Sequence, residues 1–230
     1  MDACVISIGA MAAHPLRGER APVRTGHATT TLIRAGDATI VVDPGLPGSA
    51  LAARLGERAG ITPSEVTHVF LTSFHPDLHR GIEVFEDAHW LVAGEEREAV
   101  GVPLAQKLRD LAGRTLTEDE AALRRALERD VGVLQRCGSA PEEIAPGVAL
   151  FPLPGVTPGL CGLLLEQPRF TTLVCGDAIP SFEHLEQGKI VPWAMDVDAA
   201  RRSFEEAIEV ADLLILGRDN LVVNPTKRPF

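Results

Sequence analysis

The chain has no surplus of positive charge. Its 22 Lys and Arg residues stand against 32 Asp and Glu, for a formal net charge of −10 and a pI near 5.2. That balance argues against a nucleic-acid surface held by phosphate contacts. The densest basic run, Arg124, Arg125 and Arg129, is interrupted by Glu118, Asp119, Glu120, Glu128 and Asp130. Cysteine is scarce as well: Cys4, Cys137, Cys161 and Cys175 lie far apart with no C-x-x-C spacing, so reduced thiols are the expected state. No apolar stretch reaches membrane-spanning length, and the start lacks a basic region followed by an apolar run. A soluble cytoplasmic protein with no membrane partner is expected. Aromatics are only 4% of the chain, and Trp90 and Trp193 read as packing residues.

What is present is an ordinary globular composition, 45% hydrophobic and 23% charged, with 21 Gly and 17 Pro that imply many tight turns. A length of 230 residues suits a single α/β domain over positions 1–230. Short apolar runs at Cys4 to Ile8, Ala28 to Arg34 and Thr39 to Val42 read as strands, the last two joined by the turn Ala35-Gly36-Asp37-Ala38. Ser49 to Ala59 has helical spacing, and Thr62-Pro63-Ser64-Glu65 has the form of a capping box before a strand from Val66 to Leu71. Trp90-Leu91-Val92 is another strand. Val102 to Ala112 and Asp119 to Gln135 are predicted helices, the second opened by a capping box at Thr117, and they form a helical insertion at about 102–137. Strands follow at Val148 to Leu153, Leu160 to Leu165 and Thr171 to Cys175. Val197, Ala200, Phe204, Ala207, Ile208 and Ala211 make one helix face, and Leu213 to Leu216 is a final strand. Alternation of this kind predicts layered sheets with helices outside.

Thr72-Ser73-Phe74-His75-Pro76-Asp77-Leu78-His79-Arg80-Gly81 follows the apolar run Val69-Phe70-Leu71, where a buried strand ends and a loop able to carry chemistry begins. Four further landmarks occur in order: Val42-Asp43-Pro44-Gly45, Pro154-Gly155-Val156-Thr157-Pro158-Gly159, Cys175-Gly176-Asp177 and Leu216-Gly217-Arg218-Asp219-Asn220. With these five the chain resembles the metallo-β-lactamase-fold superfamily from about Thr29 to Asn220. The resemblance implies a four-layer αβ/βα sandwich. It also implies a site in which His-x-His-x-Asp-His, Gly-His-Thr-x-Gly, a bridging Asp and a terminal His hold one or two divalent ions that activate water for hydrolysis.

Carried over residue by residue, that pattern is incomplete. His75, Asp77 and Asp177 match, whereas Ser73, Leu78, Val156 and Arg218 stand where the family has histidine. The expected metal ligands are therefore His75, Asp77 and Asp177, fewer than either inherited site needs. The expected cofactor is either none or one divalent zinc, manganese or iron ion. Asp77 and Asp177 are the candidate catalytic carboxylates. Ser73, His79 and Arg218 are candidates for substrate binding, although His79, one residue beyond Leu78, points about 100° away on a helical turn and reads as exposed. A guanidinium is permanently charged and pairs bidentately with carboxylates, so Arg218 is expected to replace the metal as counter-charge to Asp77 and Asp177. Asp43 reads as a turn residue supporting the site.

Two functions from different classes follow. One is a binding, regulatory or scaffold protein with a small-molecule cleft and a degenerate metal centre. The other is a hydrolase of an ester, lactone or phosphoester using one metal at an atypical site. A third class is a structural protein that assembles as a homo-oligomer.

Overall fold

The computed structural model describes residues 1–113 and 115–227. Its first sheet contains β1 (Asp2–Ser7), β2 (Thr30–Ala35), β3 (Ala38–Val42), β4 (His68–Leu71), β5 (His89–Val92) and β6 (Gly138–Ser139), side by side in chain order. The second contains β7 (Glu143–Ala145), β8 (Val148–Pro152), β9 (Cys161–Glu166), β10 (Thr171–Gly176), β11 (Leu213–Leu216) and β12 (Leu221–Val223), again in order. Both sheets are mixed. β3, β4, β5 and β6 run parallel, as do β10 and β11, while the other pairings are antiparallel.

Side-chain alternation along the strands builds three apolar layers. In β4, Phe70 points between the sheets while Val69 and Leu71 point outward; in β10, Val174 faces inward while Leu173 and Cys175 face out. The outer face of the first sheet is covered by α1 (Gly48–Ala59), through Leu51 and Leu55, and by the pair α3 (Gly94–Asp110) and α4 (Glu118–Arg136), through Leu104, Val133 and Leu134. The second sheet is covered by the short α5 (Phe182–Gln187) and by α6 (Val197–Val210), whose Ala200, Phe204 and Ala207 form one buried stripe. This is the four-layer α/β sandwich that the sequence leads one to expect. Among the described residues no helix is long and apolar enough to cross a membrane.

Local boundaries differ from expectation at two places. The box at Thr62 makes both its hydrogen bonds but closes only the single turn Pro63–Glu65, so the following strand begins at His68 rather than Val66. The helix expected from Val102 begins at Gly94, with the acidic Glu95 and Glu96 in its first turn and Pro103 accommodated inside it. The second helix of the insertion starts as expected, with Thr117 accepting from the backbone of Glu120.

Candidate functional site

The carboxyl ends of the parallel strands converge, the position where open α/β sheets place ligands. Asp43 follows β3, Thr72 and Ser73 follow β4, Asp177 follows β10, and Arg218 follows β11 by two residues. Backbone hydrogen bonds fix them: Cys161 N donates to Thr72 O at 2.9 Å and Thr29 N to Gly217 O at 2.8 Å across the two sheets, and Ala28 N to Asp77 O at 3.1 Å within the first.

Arg218 is the centre of the arrangement. Its Nε and Nη2 donate to the two oxygens of Asp177, each at 2.9 Å, and its Nη1 donates to Asp77 Oδ2 at 2.8 Å. The bidentate bond to one carboxylate and the single bond to the other use the guanidinium's planar fork. Arg80 Nη2 supports Asp77 from the other side at 3.1 Å. The Arg218 side chain is only 8% exposed, so a charge here has little water to compensate it. Burial works to raise the pKa of Asp177, but the charge and hydrogen bonds of Arg218 outweigh it and hold the carboxyl below its ordinary value. For Arg218 itself, burial is opposed by the two carboxylates and the net displacement is upward. The counter-charge geometry expected from the sequence is present.

Asp43 lies beneath this group. It takes a positive φ of 50° and accepts from the backbone N of Thr72 at 2.8 Å and from Thr72 Oγ1 at 2.7 Å. Burial pushes its pKa up to about 7, against the lowering effect of the Thr72 bonds. It binds the end of β3 to the end of β4, the supporting role read from the sequence.

The other predicted residues divide. His75 caps the short helix α2 (Pro76–His79): its Nδ1 accepts from Asp77 N at 3.2 Å, and its side chain is 58% exposed to the cleft. Ser73 is buried at the cleft floor. His79 is a correction. It is 0% exposed rather than on the surface, it stacks near Phe74 with ring centroids 4.7 Å apart, and it does not line the cleft as a substrate-binding residue would. The first turn of α2 rotates it under α4, where the nearest carboxylate, Asp130, is 3.8 Å from its Nε2. Both ring nitrogens are buried without a hydrogen-bond partner, and burial pushes the pKa down to about 4.

Glu96 is a site residue that the sequence reading missed. Fully buried, it accepts from Phe74 N at 2.8 Å and Gly159 N at 3.2 Å, and so ties the loop after β4 to the loop between β8 and β9. Gly159 passes so close that a Cβ there would overlap the backbone of Glu96, which explains glycine at this position. The available signal was Gly94-Glu95-Glu96 directly after a strand, an acidic helix start.

These loops surround a cleft of about 310 Å³. Ser73, His75, Asp77, Asp177 and Arg218 form its polar part, with Met11, Ala12, Ala13, Val156, Thr157 and Trp193 around them. A groove of about 430 Å³ between α3 and α4 has a mainly apolar lining and none of the convergent groups that follow the strand ends.

The donor set does not fit the metal ions the fold implies. Arg218 spans the two carboxylates, and among the described residues no group of three or more His, Cys, Asp or Glu side chains is placed to hold an ion. Val156 and Leu78, both buried, provide no coordinating atom at their positions. His75, Asp77 and Asp177 thus line one cleft without forming a metal-binding group as they stand.

A family model described as the metallo-beta-lactamase superfamily matches residues 23–218, and the chain belongs to that superfamily. Among curated proteins it is similar to a probable metallo-hydrolase of Mycobacterium tuberculosis and to one of Mycobacterium bovis, each 29% identical over 166 residues. The match covers 71% of this chain and 53% of either relative, so the chain spans about half the length of the curated relatives it matches. Among solved structures, a Thermotoga maritima protein of the metallo-beta-lactamase type superposes with a TM-score of 0.68 at 19% identity, over 96% of this chain and 98% of that one. A dizinc quorum-quenching lactonase in complex with its product gives a TM-score of 0.61 at 19% identity, over 79% of this chain and 67% of that one. These structural matches establish the shared fold.

Proposed function

We propose that this chain is a ligand-binding member of the superfamily in which Arg218 has taken the electrostatic role of the metal, so that the cleft operates without the usual binuclear zinc hydrolysis. The Arg218 guanidinium bonded to both Asp77 and Asp177 is the observation that carries this reading. A cation held between these two carboxylates keeps the buried Asp177 ionised and keeps the loops in register, as a divalent ion would. It exposes no open coordination position and lowers the pKa of no bound water. The cleft then serves regulation or scaffolding through a small molecule seated on Ser73, His75 and Arg218.

The names of the relatives favour a second reading. Metallo-hydrolases and a dizinc lactonase share this fold, and a hydrolase of an ester, lactone or phosphoester would use one ion on His75, Asp77 and Asp177, with the two aspartates as its catalytic carboxylates. Such a site requires Arg218 to leave both carboxylates. Elemental analysis of the purified protein, followed by titration with zinc, manganese and iron, separates the two. The first reading expects substoichiometric metal, no calorimetric binding, and no turnover of nitrophenyl esters, lactones or phosphoesters. One tightly held ion per chain, with metal-dependent turnover abolished in Asp177→Ala, would establish the second reading in its place.

A further inference from the structure

Away from the cleft, a cavity of about 570 Å³ is lined by residues at the end of β1 together with His27, Leu46, Arg54, Arg58 and Asn220. In a chain with ten more acidic than basic side chains, this cavity has two arginines and a histidine and no carboxylate in its lining. Arg54 and Arg58 are four residues apart on α1, so they share one face and repel each other. The Arg58 Nε donates to Val5 O at 2.9 Å, which anchors the guanidinium against β1 and leaves its terminal nitrogens for another acceptor. Arg54 pairs with Glu57 at 3.0 Å, with both side chains more than half exposed, and an ion pair of that kind contributes little and yields readily to a ligand. Opposite them, the two ring nitrogens of His27 face carbonyl oxygens, Nδ1 at 3.4 Å from Thr25 O and Nε2 at 3.2 Å from Ile8 O.

We propose that this cavity binds a phosphate group, free or as a monoester, with Arg54 and Arg58 as its ligands. Two guanidiniums offer the forked donors that phosphate oxygens accept. An anion between them relieves the repulsion that the bare helix face carries, and Ile8 and Leu46 supply apolar surface for the organic part of a monoester. The site is independent of the cleft and of whether that cleft holds a metal.

Calorimetry and thermal melts on the full chain test it, with inorganic phosphate and phenyl phosphate as probes, citrate as a polycarboxylate, and sodium chloride at matched ionic strength. Saturable binding of a phosphate probe is expected, weakened at least tenfold in the double variant Arg54→Ala, Arg58→Ala. Alanine at these exposed helix positions favours the helix, so the fold is retained, and circular dichroism verifies it. Tighter binding of phenyl phosphate identifies a monoester, and equal binding identifies the free anion. Binding of neither probe beyond the chloride control, equal affinity in the double variant, or a response to citrate alone would overturn the assignment.

Discussion

Asp43 and Asp177 follow parallel strands in opposite sheets, both are buried, and their carboxyl groups are displaced in opposite directions. Asp43 has good hydrogen bonds from Thr72, yet burial still drives its pKa to about 7. Asp177 faces the same desolvation and is held low by the full charge of Arg218. Neutral donors soften the cost of burying a carboxylate, whereas a bidentate cation reverses it. The floor of the site therefore has two tiers: an ion-paired upper tier that faces the cleft, and a lower, proton-sensitive one that joins strand ends.

The largest test of that contrast is Arg218→Ala, which leaves the buried Asp177 carboxylate without its bidentate cation and the half-buried Asp77 with Arg80 alone. A loss of about 3–5 kcal/mol is expected by urea denaturation at pH 7, with partial recovery when Asp177→Asn is added. A variant as stable as the parent would show that the pair contributes nothing. Asp177, with its depressed pKa, contributes stability above its ordinary value of 3.8 that is lost as pH falls through its folded value.

Thr72→Val addresses the lower tier by deleting one of the two donors to Asp43. It should cost about 1–3 kcal/mol, more at pH 8, where Asp43 is ionised, than at pH 5. In the parent, Asp43 binds a proton more tightly folded than unfolded, so its contribution makes stability fall as pH rises from about 4 to about 7. An identical penalty at both pH values would place Asp43 with Asp177 instead.

The smallest effect is expected for His79→Phe, which retains a ring beside Phe74 and removes two unpartnered nitrogens. Stability at pH 7 should change by less than about 1.5 kcal/mol. The depressed pKa of His79 makes the parent lose stability as pH falls from 6.5 to about 4, opposite in sign to Asp43 over nearly the same window. The variant should therefore flatten the acid side of the stability profile, measured by melting temperature against pH, and leave the slope from Asp43 exposed. An unchanged profile would mean that His79 is not the group responsible.

The sequence by itself determined the sandwich, because period-2 strands, helix faces and five ordered landmarks all specify the same layers. The resemblance also set Arg218 among Asp77 and Asp177, and the pairing expected there on grounds of charge is the one observed. Tertiary structure alone decided that His79 lies under α4, because the direction of a side chain in a four-residue helix depends on what packs over it. The same holds for Glu96, which meets Phe74 and Gly159 from a distant position in the chain. The early start of α3 that places Glu96 there goes with its acidic first turn, and not with the apolar spacing further along. The arginine cavity was hidden for the same reason: β1, His27, α1 and Asn220 are separate in sequence, and folding alone gathers their charges without a carboxylate among them.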